Sequence, residues 1–215
     1  MVNASIEKAL WILGVTLIAT YGAMRASAEV QRQEGIAAFT QARLAVRTPR
    51  LELTTSGPDQ SAWSDGRIRA YASTRVSPPP SLPDAVLRIP RVKLAVPVYA
   101  NTSAANLDRG AGLIPGTARP EVTGNIGIAA HRDGFFRALK DVAVGDRLEI
   151  ERLFGTRVYR VSALSIVNPE DMRPLRQTSR SMVTLVTCYP FYYVGNAPQR
   201  YIVRAVAVDT AGEGR

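Results

Sequence analysis

The chain of 215 residues has one cysteine, Cys188, and one histidine, His131. A single thiol excludes any disulfide within the chain, and one Cys with one His is too few for a zinc cage built from those ligands. Lysine is scarce: Lys8, Lys93 and Lys140 are the only three, so the rest of the 27 basic residues are arginine. No G-x-x-x-x-G-K phosphate loop occurs, and no segment repeats. No resolving cysteine accompanies Cys188, which argues against a thiol redox sensor. These absences leave no motif that calls for a metal or a cofactor.

What is present is an arginine-rich surface and a net charge of +9. From residue 86 onwards there are 18 basic and 11 acidic residues, so most of the surplus belongs to the C-terminal part. A basic face attracts nucleic acid or an anionic surface. Here the arginines are scattered along strand-like segments, with no Lys/Arg cluster and no aromatic-interleaved motif, which speaks against nucleic-acid binding.

Residues 9–24 form an uncharged apolar run between Lys8 and Arg25. Its sixteen residues rise about 24 Å as a helix, short of the roughly 30 Å hydrocarbon core, and the flanking Lys8 and Arg25 can snorkel to make up the difference. Ala26-Ser27-Ala28 has the small-residue look of a signal-peptidase site, but Arg25 beside it disfavours cleavage, and an uncleaved signal-anchor is the reading adopted for residues 1–28. The charges flanking the run do not by themselves place the C-terminal side outside the cell. Residues 29–84 are expected to be a stalk, helical to about residue 45. From residue 48 to 83 it turns Pro/Ser/Gly-rich and closes on Ser77-Pro78-Pro79-Pro80-Ser81-Leu82-Pro83.

Beyond residue 84 the pattern is β. Short apolar or alternating runs fall at 85–89, 94–99, 125–130, 147–151, 157–167, 182–188 and 201–208, separated by turn signals such as Pro115-Gly116, Gly145-Asp146 and Asn168-Pro169. Short helices are expected at 103–108, 135–139 and 169–175. Seven or more strands without long intervening helices predict a closed barrel, with a sandwich as the other possibility, over residues 85–210.

Two residues stand at strand ends. His131 follows Asn125-Ile126-Gly127-Ile128-Ala129-Ala130 and precedes the turn Arg132-Asp133-Gly134; Cys188 closes Val183-Thr184-Leu185-Val186-Thr187, and Pro190 stops regular pairing. A cysteine nucleophile attacks as thiolate and needs a cationic or basic partner, which the single imidazole could supply across the fold. On placement alone an inert core thiol is an equally valid reading. Arg200, twelve residues after Cys188, is a third candidate, able to donate to an oxyanion, with Arg204 as a nearby decoy.

Thr184-Leu185-Val186-Thr187-Cys188 resembles the T-L-x-T-C signature of the sortases, Ala130-His131-Arg132-Asp133 is similar to their H-x-D histidine segment, and Arg200 falls where the sortase arginine lies. Leu113-Ile114-Pro115-Gly116-Thr117 and Thr187-Cys188-Tyr189-Pro190-Phe191 resemble the class D branch, and the likeness covers residues 86–209. The resemblance implies an all-β, eight-stranded sortase barrel. It implies that Cys188 attacks a Thr–Gly or Thr–Ala bond of an L-P-x-T-G-like sorting signal in an exported protein, that a thioacyl-enzyme forms, and that an amine of the cell envelope or of another protein resolves it. His131 would move the proton, Arg200 would hold the oxyanion, Thr187 would bind or position the substrate backbone or serve only as a β-former, and Asp133 would orient His131 or shape the turn. The chain would sit in the cell membrane by a single span with its barrel on the extracytoplasmic side. The same residues allow a processing protease in which water resolves the intermediate, and a tethered binding module with inert Cys188 and His131 is the alternative from another class.

Overall fold

The structure, a computed structural model, describes residues 4–47, 82–192 and 196–208. One helix, α1 (Ala4–Arg47), comes first. The remaining elements are β1 (Ala85–Ile89), β2 (Leu94–Tyr99), a short helix α2 (Ala104–Arg109), β3 (Ala111–Leu113), β4 (Asn125–Ala129), β5 (Arg147–Arg152), β6 (Gly155–Val167), β7 (Met182–Tyr189) and β8 (Gln199–Ala207). Short 3-10 helices lie at Pro90–Val92, Phe135–Asp141 and Arg173–Leu175. The linker expected at 48–83 lies, as far as residue 81, outside the described residues.

The strands close into a barrel in the order β1-β2-β3-β4-β7-β8-β6-β5, so the eight-stranded all-β expectation holds. All seven expected runs are strands, and β3 is the one that was not foreseen. The short helices expected at 103–108, 135–139 and 169–175 are present as α2, a seven-residue 3-10 helix at Phe135–Asp141 and a 3-10 helix cut down to Arg173–Leu175, where Pro174 has no N–H to continue a ladder of α-type bonds. The helical reading of residues 29–45 is extended: α1 runs unbroken from the apolar half, through Ala26-Ser27-Ala28, to Arg47. Its second half lies on the barrel, with Phe39 1% exposed and Gly35 so close to β2 that a β-carbon there would stand 2.7 Å from the Tyr99 hydroxyl.

Period-two alternation explains the core. Ile126 and Ile128 of β4, Val183 and Leu185 of β7, and Val203 and Ala205 of β8 point inward with Leu87, Val96, Leu148, Ile150 and Phe136, all almost fully buried. Burying each large apolar side chain is worth roughly 1.5–3 kcal/mol, which makes this interior the main source of stability. The odd-numbered residues of β4 and the even-numbered residues of β7 and β8 therefore face outward. The Gly145-Asp146 turn is fixed by one carboxylate: Arg91 Nε donates to Asp146 Oδ1 (2.6 Å) and the Ala143 amide donates to Oδ2 (2.8 Å). The hydrogen bond from Arg91 holds this carboxyl below the usual carboxylate range. A depressed acid stabilises above its unfolded-state pKa of about 3.9, and the contribution disappears as pH falls through the folded-state value. Asp146→Asn should cost about 1–3 kcal/mol at pH 7. Thermal melts should show that deficit at pH 7 and show it shrinking below about pH 4.

Candidate active site

Strand pairing sets Cys188 opposite Arg200 and runs β4 alongside β7 up to two residues before His131. In the parallel β4–β7 ladder Asn125 faces Met182 and Ala129 faces Val186, an offset of 57 residues. His131 and Cys188 are also 57 residues apart, so the same register, carried two residues past the end of β4 into the turn, runs towards both, and the two side chains line one pocket. In the antiparallel β7–β8 ladder Cys188 faces Arg200 directly. Directly opposed residues have their β-carbons about 4.5–5.5 Å apart on the same side of the sheet. Parity puts all three on the outer face, together with Ala129 and Val186, and not in the barrel interior.

The three side chains line one pocket of about 320 Å³ with Arg132, Asp133, Asn196 and Ala197. His131 is half exposed and Cys188 partly exposed, so both are open to a bound chain. Arg200 donates from Nη1 to the carbonyls of Gln199 (3.0 Å) and Ala197 (3.3 Å), which holds its guanidinium against the strand end. The carboxylate nearest the imidazole is Asp108 of α2, with Oδ1 3.8 Å from His131 Nε2. Nothing in the sequence pointed to Asp108: it is an exposed acid on a six-residue helix, 23 positions before the histidine. Asp133 lines the pocket at the turn, whose backbone closes by bonds from Gly134 and Phe136 amides to the His131 carbonyl.

Thr187 has the opposite parity and sits behind the pocket instead of on its wall. It is 2% exposed and its hydroxyl donates to the carbonyl of Ala130 at 2.8 Å, which ties β7 to the residue just before His131. A direct contact with a substrate backbone does not fit that placement; a bond that positions the histidine does. Thr184, three residues earlier and facing out, is covered. Its hydroxyl donates to Asn125 Oδ1 (2.8 Å), and Asn125 Nδ2 donates to the carbonyls of Pro174 (2.8 Å) and Arg176 (3.1 Å). This buried network pins the β6–β7 loop over the outer face of β4. Leu175 comes down on Gly127, where a β-carbon would meet its Cδ2 at 2.9 Å. The outer face of β4 is thus covered at Gly127 and open at the pocket around Cys188. Among the described residues no three His, Cys, Asp or Glu side chains converge as a metal cage.

An outward thiol, an imidazole in the same pocket and a guanidinium opposite stand together on the outer face of a closed barrel, and these are the groups that cysteine-centred group transfer uses. The sortase domain matches residues 87–208, more than half of the chain, and the chain belongs to the sortase family. It is 29% identical over 164 residues to sortase D of Bacillus subtilis (strain 168), covering 76% of this chain and 79% of that one. Among solved structures it resembles Streptococcus agalactiae sortase C1, with a TM-score of 0.61, 26% identity and coverage of 84% of this chain and 97% of that one. It also resembles sortase C-1 of Streptococcus pneumoniae, with a TM-score of 0.54 and 28% identity; the match spans 58% of this chain and 66% of that one, just under two thirds of its length.

Proposed function

We propose that this sortase is a membrane-anchored cysteine transpeptidase with Cys188 as nucleophile, His131 as acid and base, and Arg200 as oxyanion donor. The observation that supports this is the one pocket that the single thiol, the single imidazole and Arg200 line together, in keeping with the 57-residue offset of the β4–β7 ladder. Residues 1–28 anchor the chain, residues 29–84 link the anchor to the barrel, their helical first part lying along it, and residues 85–210 are the catalytic barrel, on the extracytoplasmic side of a single span. The apolar window of α1 is long enough to cross a bilayer by length and composition, and none of it is buried.

The substrate is an exported protein with an L-P-x-T-G-like signal, bound at the pocket lined by His131, Cys188 and Arg200. The Cys188 thiolate adds to the threonine carbonyl, and the oxyanion so formed accepts hydrogen bonds from Arg200. As the C–N bond breaks, the His131 imidazolium gives its proton to the departing amine, leaving a thioester and a neutral imidazole. An amine of the cell envelope or of another protein then attacks the thioester, His131 takes the amine's proton, and the thiolate leaves. Asp108 stands beside the imidazole at 3.8 Å, and Thr187 holds the backbone just before the histidine through the Ala130 carbonyl.

Incubation of the full chain with an L-P-x-T-G or L-P-x-T-A peptide, with and without an added amine, tests this. The expected products are a thioester adduct on Cys188 and an amine-dependent ligation product; a free-acid product alone, at the same rate with and without amine, would replace transpeptidation by hydrolysis. In the same assay Arg200→Lys should lose about 10²- to 10³-fold in kcat/KM, the usual effect of removing one oxyanion donor. The forked guanidinium can satisfy the Gln199 and Ala197 carbonyls and the oxyanion together; a point-like ammonium on a flexible stem cannot.

A further inference from the structure

The contacts of α1 with the barrel run in order along the helix. Arg25 Nη1 donates to the carbonyl of Asp133 (2.8 Å), in the turn that follows His131. Arg32 Nη1 donates to the Ala95 carbonyl of β2 (2.8 Å). Arg43 Nη2 donates to the Thr156 hydroxyl (3.2 Å), and its Nη1 lies 4.0 Å from Glu151.

These contacts span the barrel from end to end. Val167 of β6 pairs with Arg200, which pairs with Cys188, so the C-terminal end of β6 is at the site. Its first residue, Gly155, pairs with Arg152 across the β5–β6 turn at the opposite end, and that is where Arg43 reaches. From Arg25 to Arg43 the helix rises about 27 Å, so α1 is splinted along the whole barrel with its apolar half emerging beyond the site end. In that half Leu10, Trp11, Ile12, Val15, Leu17 and Ile18 are all more than half exposed.

Two features fix how far the apolar half sinks. Lys8 to Arg25 spans about 26 Å, less than a bilayer core of about 30 Å, so neither charge can stand far above the headgroups. Trp11 and Tyr21 lie just inside the two charges, where amphipathic rings settle at a membrane interface. Arg25 thus belongs at headgroup level, and it holds the Asp133 carbonyl of the pocket wall.

We propose that the pocket end of the barrel is a membrane-contact surface: α1 seats the rim carrying His131, Asp133, Cys188 and Arg200 against a phospholipid bilayer, and the headgroup layer is one wall of the site. A peptide reaches Cys188 from the lipid side, within the first few residues above the leaflet from which it emerges. The far end, at the β5–β6 turn, points away from the membrane. This rests on the anchoring reading of α1 and is independent of whether Cys188 is catalytic.

The single cysteine supplies the test. The full chain is spin-labelled at Cys188 and placed in nanodiscs of phosphatidylglycerol and phosphatidylethanolamine carrying a headgroup-chelated nickel lipid; a Cys188→Ser, Phe154→Cys chain carries the same label at the exposed β5–β6 turn. Strong nickel-dependent relaxation is expected at position 188 and little at 154, because 188 lies at the Arg25 end of α1 and 154 at the Arg43 end, and those two arginines are about 27 Å apart along the helix. Equal relaxation at the two positions, or the reverse order, overturns the proposal. A chain that stays out of the nanodisc, or that covers its apolar half with a second copy and sediments as a lipid-free oligomer, overturns it together with the anchoring. Loss of peptide cleavage in the labelled chain says only that the thiol is blocked, so failure of the catalytic reading shows up separately.

Discussion

A Cys188→Ala chain is expected to fold, bind an L-P-x-T-G peptide and cleave none of it. The thiol is partly exposed on the outer face, and its loss removes no core packing. Thermal stability should therefore stay within about 0.5 kcal/mol of the parent, the range of surface substitutions. The rate should fall by about 10⁴- to 10⁶-fold, as when the nucleophile of a catalytic set is removed, because no thioester can form and what remains is binding and oxyanion stabilisation. Intact-mass measurement after mixing with peptide reads the result directly: an acyl adduct on the parent and none on the variant. Parent-like cleavage by the alanine chain would end the covalent mechanism.

His131→Ala should lose about 10²- to 10⁴-fold, the contribution of one positioned acid–base group. The loss has a signature that a structural role lacks. The histidine is needed chiefly to protonate a poor leaving group, so a substrate whose scissile amide is replaced by an ester should be penalised far less. Adding imidazole to the solution should restore part of the amide reaction, since the half-exposed ring leaves an open space behind it. Equal loss on amide and ester, with no rescue, would assign His131 to holding the pocket together. Steady-state kinetics on the two substrates decides it.

How much of this was legible in the sequence varied with the physics of each element. β1 and β2 were readable to the residue, since both are apolar runs bounded by turn formers. β3 was not: Ala111–Leu113 is three residues long, contains a glycine, and owes its pairing to β2 and β4, which only the closed barrel supplies. The Cys188–His131 pair was visible through scarcity and strand-end placement, and the structure gives the placement a geometric cause in the β4–β7 register. Asp108 was out of reach because its proximity to His131 depends on where α2 folds. Thr187 was assigned to substrate contact from its place in the signature, although alternation along β7 already separates it from Cys188: Thr184, Val186 and Cys188 share one face and Thr187 the other. Glu29 to Ala45 was readable as a helix from composition, but its attachment to the barrel depends on Gly35, Phe39 and three arginines meeting partners far along the chain.

The register between β4 and β7 has a consequence for how such a chain can change over time. Insertions in the stretches joining the two strands leave both tips where they are, because the sheet re-establishes the ladder. Loss of one residue inside β7, between Val183 and Cys188, would turn the sulfur towards Leu185 and Val203 and make it an inert filler in a barrel that still closes. The outward placement of the thiol is thus encoded as an even-or-odd count along a strand, robust to the lengths of the loops and fragile to a single missing residue between them.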